Sequence, residues 1–214
     1  MIGEGMLSSP DVTPWRSNAV TPLLNRLAAL YADMDRQYGE AARYYGFQCD
    51  GCRENCCQTR FYHHTIIEYL YLMKGMDQLP PETRDTILVV AARVVRQTRA
   101  ADQSGQKLRL MCPLNREQLC IIYAYRPMIC RMHGISHELH RNDGTILSGP
   151  GCQQFDDQAK GKAYFRYDRT PFYHQMALLE KEVRLTSGIS RKLKMTIAEM
   201  LTAESFMASN REPL

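Results

Sequence analysis

Apolar residues recur at helical spacing in five stretches of this chain, and segments rich in polar residues, glycine or proline separate them. Thr21 at the N-cap position and Pro22 at the first helical position open the first stretch. Leu23, Leu24, Leu27, Leu30, Tyr31 and Met34 follow as one stripe, so the helix is expected to reach Tyr44 or Tyr45 and to end at Gly46. A second helix is predicted from His64 to Lys74, with Ile66, Ile67, Leu70 and Met73 facing one way and Gly75 as its stop. Pro80-Pro81 starts a third, in which Ile87, Val90, Ala91, Val94 and Val95 keep the helical period although their β-branching favours a strand. These two read as a helical hairpin. Phe172, Met176, Leu179 and Val183 mark another helix from Pro171 to Leu185, and Leu193, Ile197, Met200 and Leu201 a last one over 193–207.

Between the third and fourth helices the pattern breaks. RAADQSGQK reads as a polar loop, while LRLM and LCIIYAY fit short strands or a small hairpin. Arg126-Pro127 begins a helical turn through PMICRMHG, with Gly134 as its stop. Asn-Asp-Gly in RNDGTI signals the turn of a second short hairpin. Gly149-Pro150-Gly151 then lets the backbone come close to its neighbours just before Cys152. The expected fold is mainly α: a single helical domain over 21–208, with an irregular cysteine-rich metal-binding centre at 47–152 and room for a small β-hairpin. Residues 1–20 are expected to form a flexible leader and 209–214 a disordered tail.

Composition narrows the class. With 214 residues, 44% of them hydrophobic and 23% charged, the chain can bury a core without covalent staples. A net charge of +4, spread along the sequence, is not the concentrated basic face that nucleic acid requires. No stretch approaches the roughly 18–20 apolar residues of a membrane span. MIGEGMLSSPDVTPWRSNAV has no apolar core of a secretory signal, so a cytoplasmic location is expected.

That expectation decides how the eight cysteines are read, because short-spaced thiols in a reducing compartment hold metal or do redox chemistry more often than they form disulfides. They fall into two sets of four. Cys49, Cys52, Cys56 and Cys57 are compact, whereas Cys112, Cys120, Cys130 and Cys152 are spread over some forty residues. Cys49-x2-Cys52 is a knuckle that suits structural zinc or an iron–sulfur cluster, and Cys56 adds the third close sulfur typical of a cluster-binding loop. Adjacent side chains diverge in strands and helices alike, so only one of Cys56 and Cys57 is expected to serve the main site. Two four-cysteine sites or one site with spare thiols are both allowed. Isolated cysteines such as Cys120 also fit a buried core.

Arg126 and Arg131 bracket Cys130, where a guanidinium can offset the negative charge of a thiolate-bound cluster or cap a short helix at the surface. His133, His137 and His140 would share a face if their segment were one helix, and His63-His64 more simply opens the second helix. No hydrolase elbow, phosphate loop or dinucleotide fingerprint occurs. An enzymatic role is therefore not legible from motifs.

As a set, CDGCRENCC, CPLNREQLCIIYAYRPMICR and the later Cys152 resemble the YkgJ-like cysteine-cluster family, described as zinc- or iron-chelating. Cys112, Pro113, Cys120, Ile122, Tyr123, Arg126, Pro127, Cys130 and Arg131 match its downstream pattern in order. Three residues separate Cys52 from Cys56 where many members have two. The resemblance covers residues 47–152. It implies a metal or cluster, most simply a 4Fe-4S iron–sulfur cluster on these thiolates, with a structural zinc module for protein interaction as the alternative. A flagellin lysine methylase carries a similar cysteine pattern, which adds a cluster-dependent protein-modifying enzyme as a further alternative. The protein partner or substrate is left unidentified.

Overall fold

The computed structural model describes residues 14–49 and 56–203. Its elements are α1 (Thr21–Tyr45), α2 (Ile66–Met76), α3 (Pro81–Ser104), β1 (Asn115–Arg116), β2 (Leu119–Cys120), α4 (Met128–Met132), β3 (His137–His140), β4 (Ile146–Gly149), α5 (Gln153–Ala159), α6 (Thr170–Ser187) and α7 (Ile197–Thr202). Single 3-10 turns stand at Pro14–Arg16, Cys56–Gln58 and Tyr123–Tyr125. The chain is mainly α with two small antiparallel hairpins, β1–β2 and β3–β4. No helix among the described residues is long and apolar enough to cross a membrane.

The centre is α2. Its first seven residues, Ile66 to Leu72, are all buried, as expected of a helix covered on every side. α1 and α6 pack against it and against each other, α4 sits on α1, and α3 pairs with α7. Leu24, Leu27 and Met34 of α1 are fully buried, so the predicted stripe is the face that meets the core. α1 ends at Gly46 in the left-handed conformation (φ 58°), where the backbone N–H closes onto Ala42 and Arg43.

Among the described residues, Glu68 is the one carboxylate buried in this core, at 7% exposure. It accepts hydrogen bonds from Tyr31 Oη (3.2 Å), Thr65 Oγ1 (2.6 Å) and the Met128 backbone N–H (2.8 Å). A carboxylate taken from water needs such donors. Here they tie α1, the start of α2 and the start of α4 to one point, which sets where the cysteine-bearing α4 begins.

Several boundaries differ from the sequence reading. Gly75 does not stop α2. It lies inside the helix, and a Cβ there would come within 2.5 Å of the Tyr125 ring, so the missing side chain lets the segment before α4 pack close. Residues 99–104 continue α3 rather than forming a loop, and Gly105 (φ 68°) ends the helix. α2 starts at Ile66, two residues later than expected, because Thr65 is the N-cap and accepts from the Glu68 N–H. Residues 14–20 are held on the domain: Trp15 Nε1 donates to Asp77 at 2.7 Å, and Val20 is buried. The first part of the expected leader (residues 1–13 of 1–20), the expected tail of 209–214 and the end of the last predicted helix lie outside the described residues.

Replacing Glu68 with Leu would leave the Met128 N–H and the Tyr31 hydroxyl buried without an acceptor. We expect a loss of about 3 kcal/mol in unfolding free energy, read by chemical denaturation. Tyr31→Phe at the same site should cost far less, because it removes donor and need together.

Candidate metal centre

The two cysteine sets, separate in sequence, meet in space. Cys49, Cys56, Cys57, Cys112, Cys120, Cys130 and Cys152 all line one cavity of about 580 Å³. Cys52 lies outside the described residues. No disulfide joins any of the seven.

Backbone contacts bring them there. The Cys112 N–H donates to the Cys57 carbonyl at 2.8 Å, linking the first set directly to the second. A turn closed by Asn115 N–H on the Cys112 carbonyl (3.0 Å) leads into the β1–β2 hairpin, where Asn115 pairs with Cys120. Glu117 (φ 50°) and Gln118 (φ 69°) make the two-residue turn in the left-handed region without glycine, a backbone cost of about 1–2 kcal/mol per residue. Pro127 caps α4, which carries Cys130. The Cys152 N–H bonds the Gly134 carbonyl (2.8 Å), and a Cβ on Gly151 would sit 2.8 Å from that oxygen. Gln158 of α5 exchanges two hydrogen bonds with the Gln48 backbone (2.8 and 3.0 Å), so Cys49 and Cys152 are held to one neighbourhood.

Cys56 and Cys57, of which only one is expected to serve the main site, lie side by side. The 3-10 turn sets both on the cavity, and the Cys56 thiol donates toward Cys57. That bond, with a second from the Asn115 side chain, pulls the Cys57 pKa down to about 6, while Cys56 is pushed far up. Burial raises the Cys112 thiol to about 12 and raises Cys120 and Cys130 as well. Charge on Cys57, Cys112, Cys120 or Cys130 is felt by each of the other three. Such a group resists ionising in concert until positive charge is supplied, and a coordinated metal supplies it.

The donor set fits a soft metal or cluster, and two further observations fit an anionic centre. Asn115 Nδ2 lies against the Cys57 sulfur without a hydrogen bond of full geometry, and Arg126 Nε is buried with no protein acceptor. Both residues line the cavity. Arg126 and Arg131, grouped together in the sequence reading, separate here. Arg131 is committed to structure: it bonds Asp35 and the carbonyls of Ala124 and Arg126, with its guanidinium 4.1 Å over the Tyr31 ring. Arg126 also reaches Asp35, lies 3.5 Å over the Tyr123 ring and leaves Nε without a protein acceptor. Among the described residues, no three Cys, His, Asp or Glu side chains converge on a single ion.

The histidines do not form the helical face considered from sequence. His137 and His140 are in strand β3, and His140 Nε2 pairs with Glu138 at 2.8 Å. Only His133 of the three lines the cavity. His63, read as a helix start, is instead a buried bridge residue paired with Met195, and it too borders the cavity. Asn115 was invisible to motif reading because only the hairpin register brings it to Cys57.

Replacing Asn115 with Leu removes an under-satisfied donor, so the metal-free chain should keep its unfolding free energy within about 1 kcal/mol. The loaded protein should release metal to a chelator several-fold faster, followed by absorption.

No protein-family model, curated protein or solved structure matches the chain.

Proposed function

We propose that this chain is an iron–sulfur protein that holds a cluster through Cys57, Cys112, Cys120 and Cys130. The observation that carries the reading is the meeting of both cysteine sets on one cavity wall, seven thiols from five separate segments. Secondary support comes from the mutual electrostatic influence of these buried thiols, which a coordinated cation would relieve. The resemblance of the cysteine pattern to the YkgJ-like family points the same way.

When bound, such a cluster supplies one-electron chemistry at a potential set by burial and by hydrogen bonds to sulfur. The chain's own residues act on that setting. Asn115 Nδ2 and Arg126 Nε are donors for thiolate sulfur, and the charge of Arg126 offsets part of the anionic total. Leu114, buried beside Cys112, excludes water from one side. Electron transfer or redox sensing in a reducing, cytoplasmic setting is the role this supports best.

The test is iron, sulfide and zinc per chain on anaerobically purified protein, with an absorption spectrum. Iron with matching sulfide and broad visible colour is expected. Cys130→Ser should lose at least one cluster's worth of both. Colourless protein holding stoichiometric zinc would replace the reading with a structural module that unfolds on chelation.

A further inference from the structure

Part of the cavity's lining comes from elements that carry no cysteine. In the extended segment before α2, Phe61 and His63 line the cavity, whereas Tyr62 and His64 are exposed. That is strand alternation, in which side chains two residues apart share a face. A backbone bridge fixes the segment: the His63 N–H donates to the Met195 carbonyl at 2.7 Å, and the Met195 N–H to the His63 carbonyl at 3.1 Å. Just after Met195, Ile197 and Ala198 of α7 reach the same cavity, as do Val94 and Thr98, one turn apart on α3.

His63 is the group that the cysteine centre does not explain. It is only 3% exposed, and among the described residues its Nε2 has no hydrogen-bond partner. A polar atom taken from water without a partner is destabilising, and in a native fold each one calls for an explanation. At a cavity wall, that explanation is a partner supplied by a ligand. Burial pulls the imidazole pKa below its ordinary value, so near neutral pH the ring is uncharged and offers one N–H and one lone pair. The surroundings call for a neutral guest as well. Thiols aside, Arg60 is paired with Asp102, and Arg126 and Arg131 with Asp35, which leaves Glu117 in the exposed β1–β2 turn. Aromatic edges are at hand too: the Phe61 and His133 rings, both on the cavity, meet at 5.1 Å and 62°.

We propose that this part of the cavity binds a neutral phenol, with its ring against Phe61, Val94 and Ile197 and its hydroxyl on His63 Nε2. A hydroxyl both donates and accepts, so it satisfies Nε2 in either tautomer, which neither a carbonyl nor an ammonium group does. The volume of about 580 Å³ is that of a small-molecule site. A free phenol and a tyrosine side chain present the same group. The inference goes beyond the iron–sulfur reading and uses no cysteine.

Calorimetric titration of the full-length, anaerobically purified protein with p-cresol and with p-xylene tests it, because the two differ only in a hydroxyl for a methyl. A cavity without polar demand prefers p-xylene. Here p-cresol should bind about five-fold more tightly, the size of one net hydrogen bond. His63→Phe keeps a ring of similar size and should abolish that preference while still admitting p-xylene. In a crystal structure of the wild-type complex, the p-cresol oxygen should lie within hydrogen-bond distance of Nε2, a result that stands even if His63→Phe fails to fold. N-acetyltyrosinamide binding at least as tightly as p-cresol would assign the site to a tyrosine side chain, and much weaker binding to a free phenol. Equal or tighter binding of p-xylene, no binding of p-cresol, or an unchanged preference in His63→Phe would overturn the proposal. Metal analysis of the same sample is independent: p-cresol bound to protein without iron would leave this site standing and remove the cluster reading alone.

Discussion

The buried guanidinium of Arg131 sets the geometry of the cysteine centre. At 4% exposure it gives its donors to Asp35 of α1 and to the carbonyls of Ala124 and Arg126, and it lies over the Tyr31 ring. A lysine could not make this planar set of contacts. Arg131 is buried while Asp35 is partly open to solvent, so the bonds to the Ala124 and Arg126 carbonyls hold the segment between β2 and α4 and the ion pair joins it to α1. Glu68 reinforces the tether from below through Met128 and Tyr31. Two buried charges thus flank Tyr31 and hold Cys120 and Cys130 in place without touching a sulfur.

That division of labour explains the irregular centre. Helices α1, α2 and α6 bury ordinary apolar faces and need no metal to do so. Among the described residues the left-handed non-glycine positions, Glu117 and Gln118, both border the cavity, as do the unpaired Arg126 Nε and the thiols raised by burial. Backbone strain concentrated at one place, paid for by a well-packed scaffold, is a common mark of a functional site.

The helical frame was largely legible in the sequence because periodic apolar faces and terminal glycines act locally. Gly46 and Gly105 both behave as helix terminators. Gly75 looks the same in sequence, yet it serves tertiary contact with Tyr125, which no local signal reveals. α5 was not anticipated at all; one buried Phe155 is too little periodicity to announce a seven-residue helix. The cysteines stood out in the sequence, but their meeting on one cavity did not. That depends on the Cys57–Cys112 backbone bond and on the hairpin register, both long-range. The histidines at i, i+4 and i+7 would share a face only in a continuous helix, and the segment instead runs from a turn into strand β3.

The hydrogen bond between Cys112 and Cys57 also has a temporal meaning. All of α2 and α3 lies between its two ends, and Cys152 comes forty residues later still. During synthesis the first cysteines therefore leave the ribosome well before their counterparts exist. For several seconds, at about 5–20 residues per second, they are exposed thiols without their later neighbours. The cavity is accordingly completed late, with closure of the whole domain, and the first thiols meet their neighbours only then.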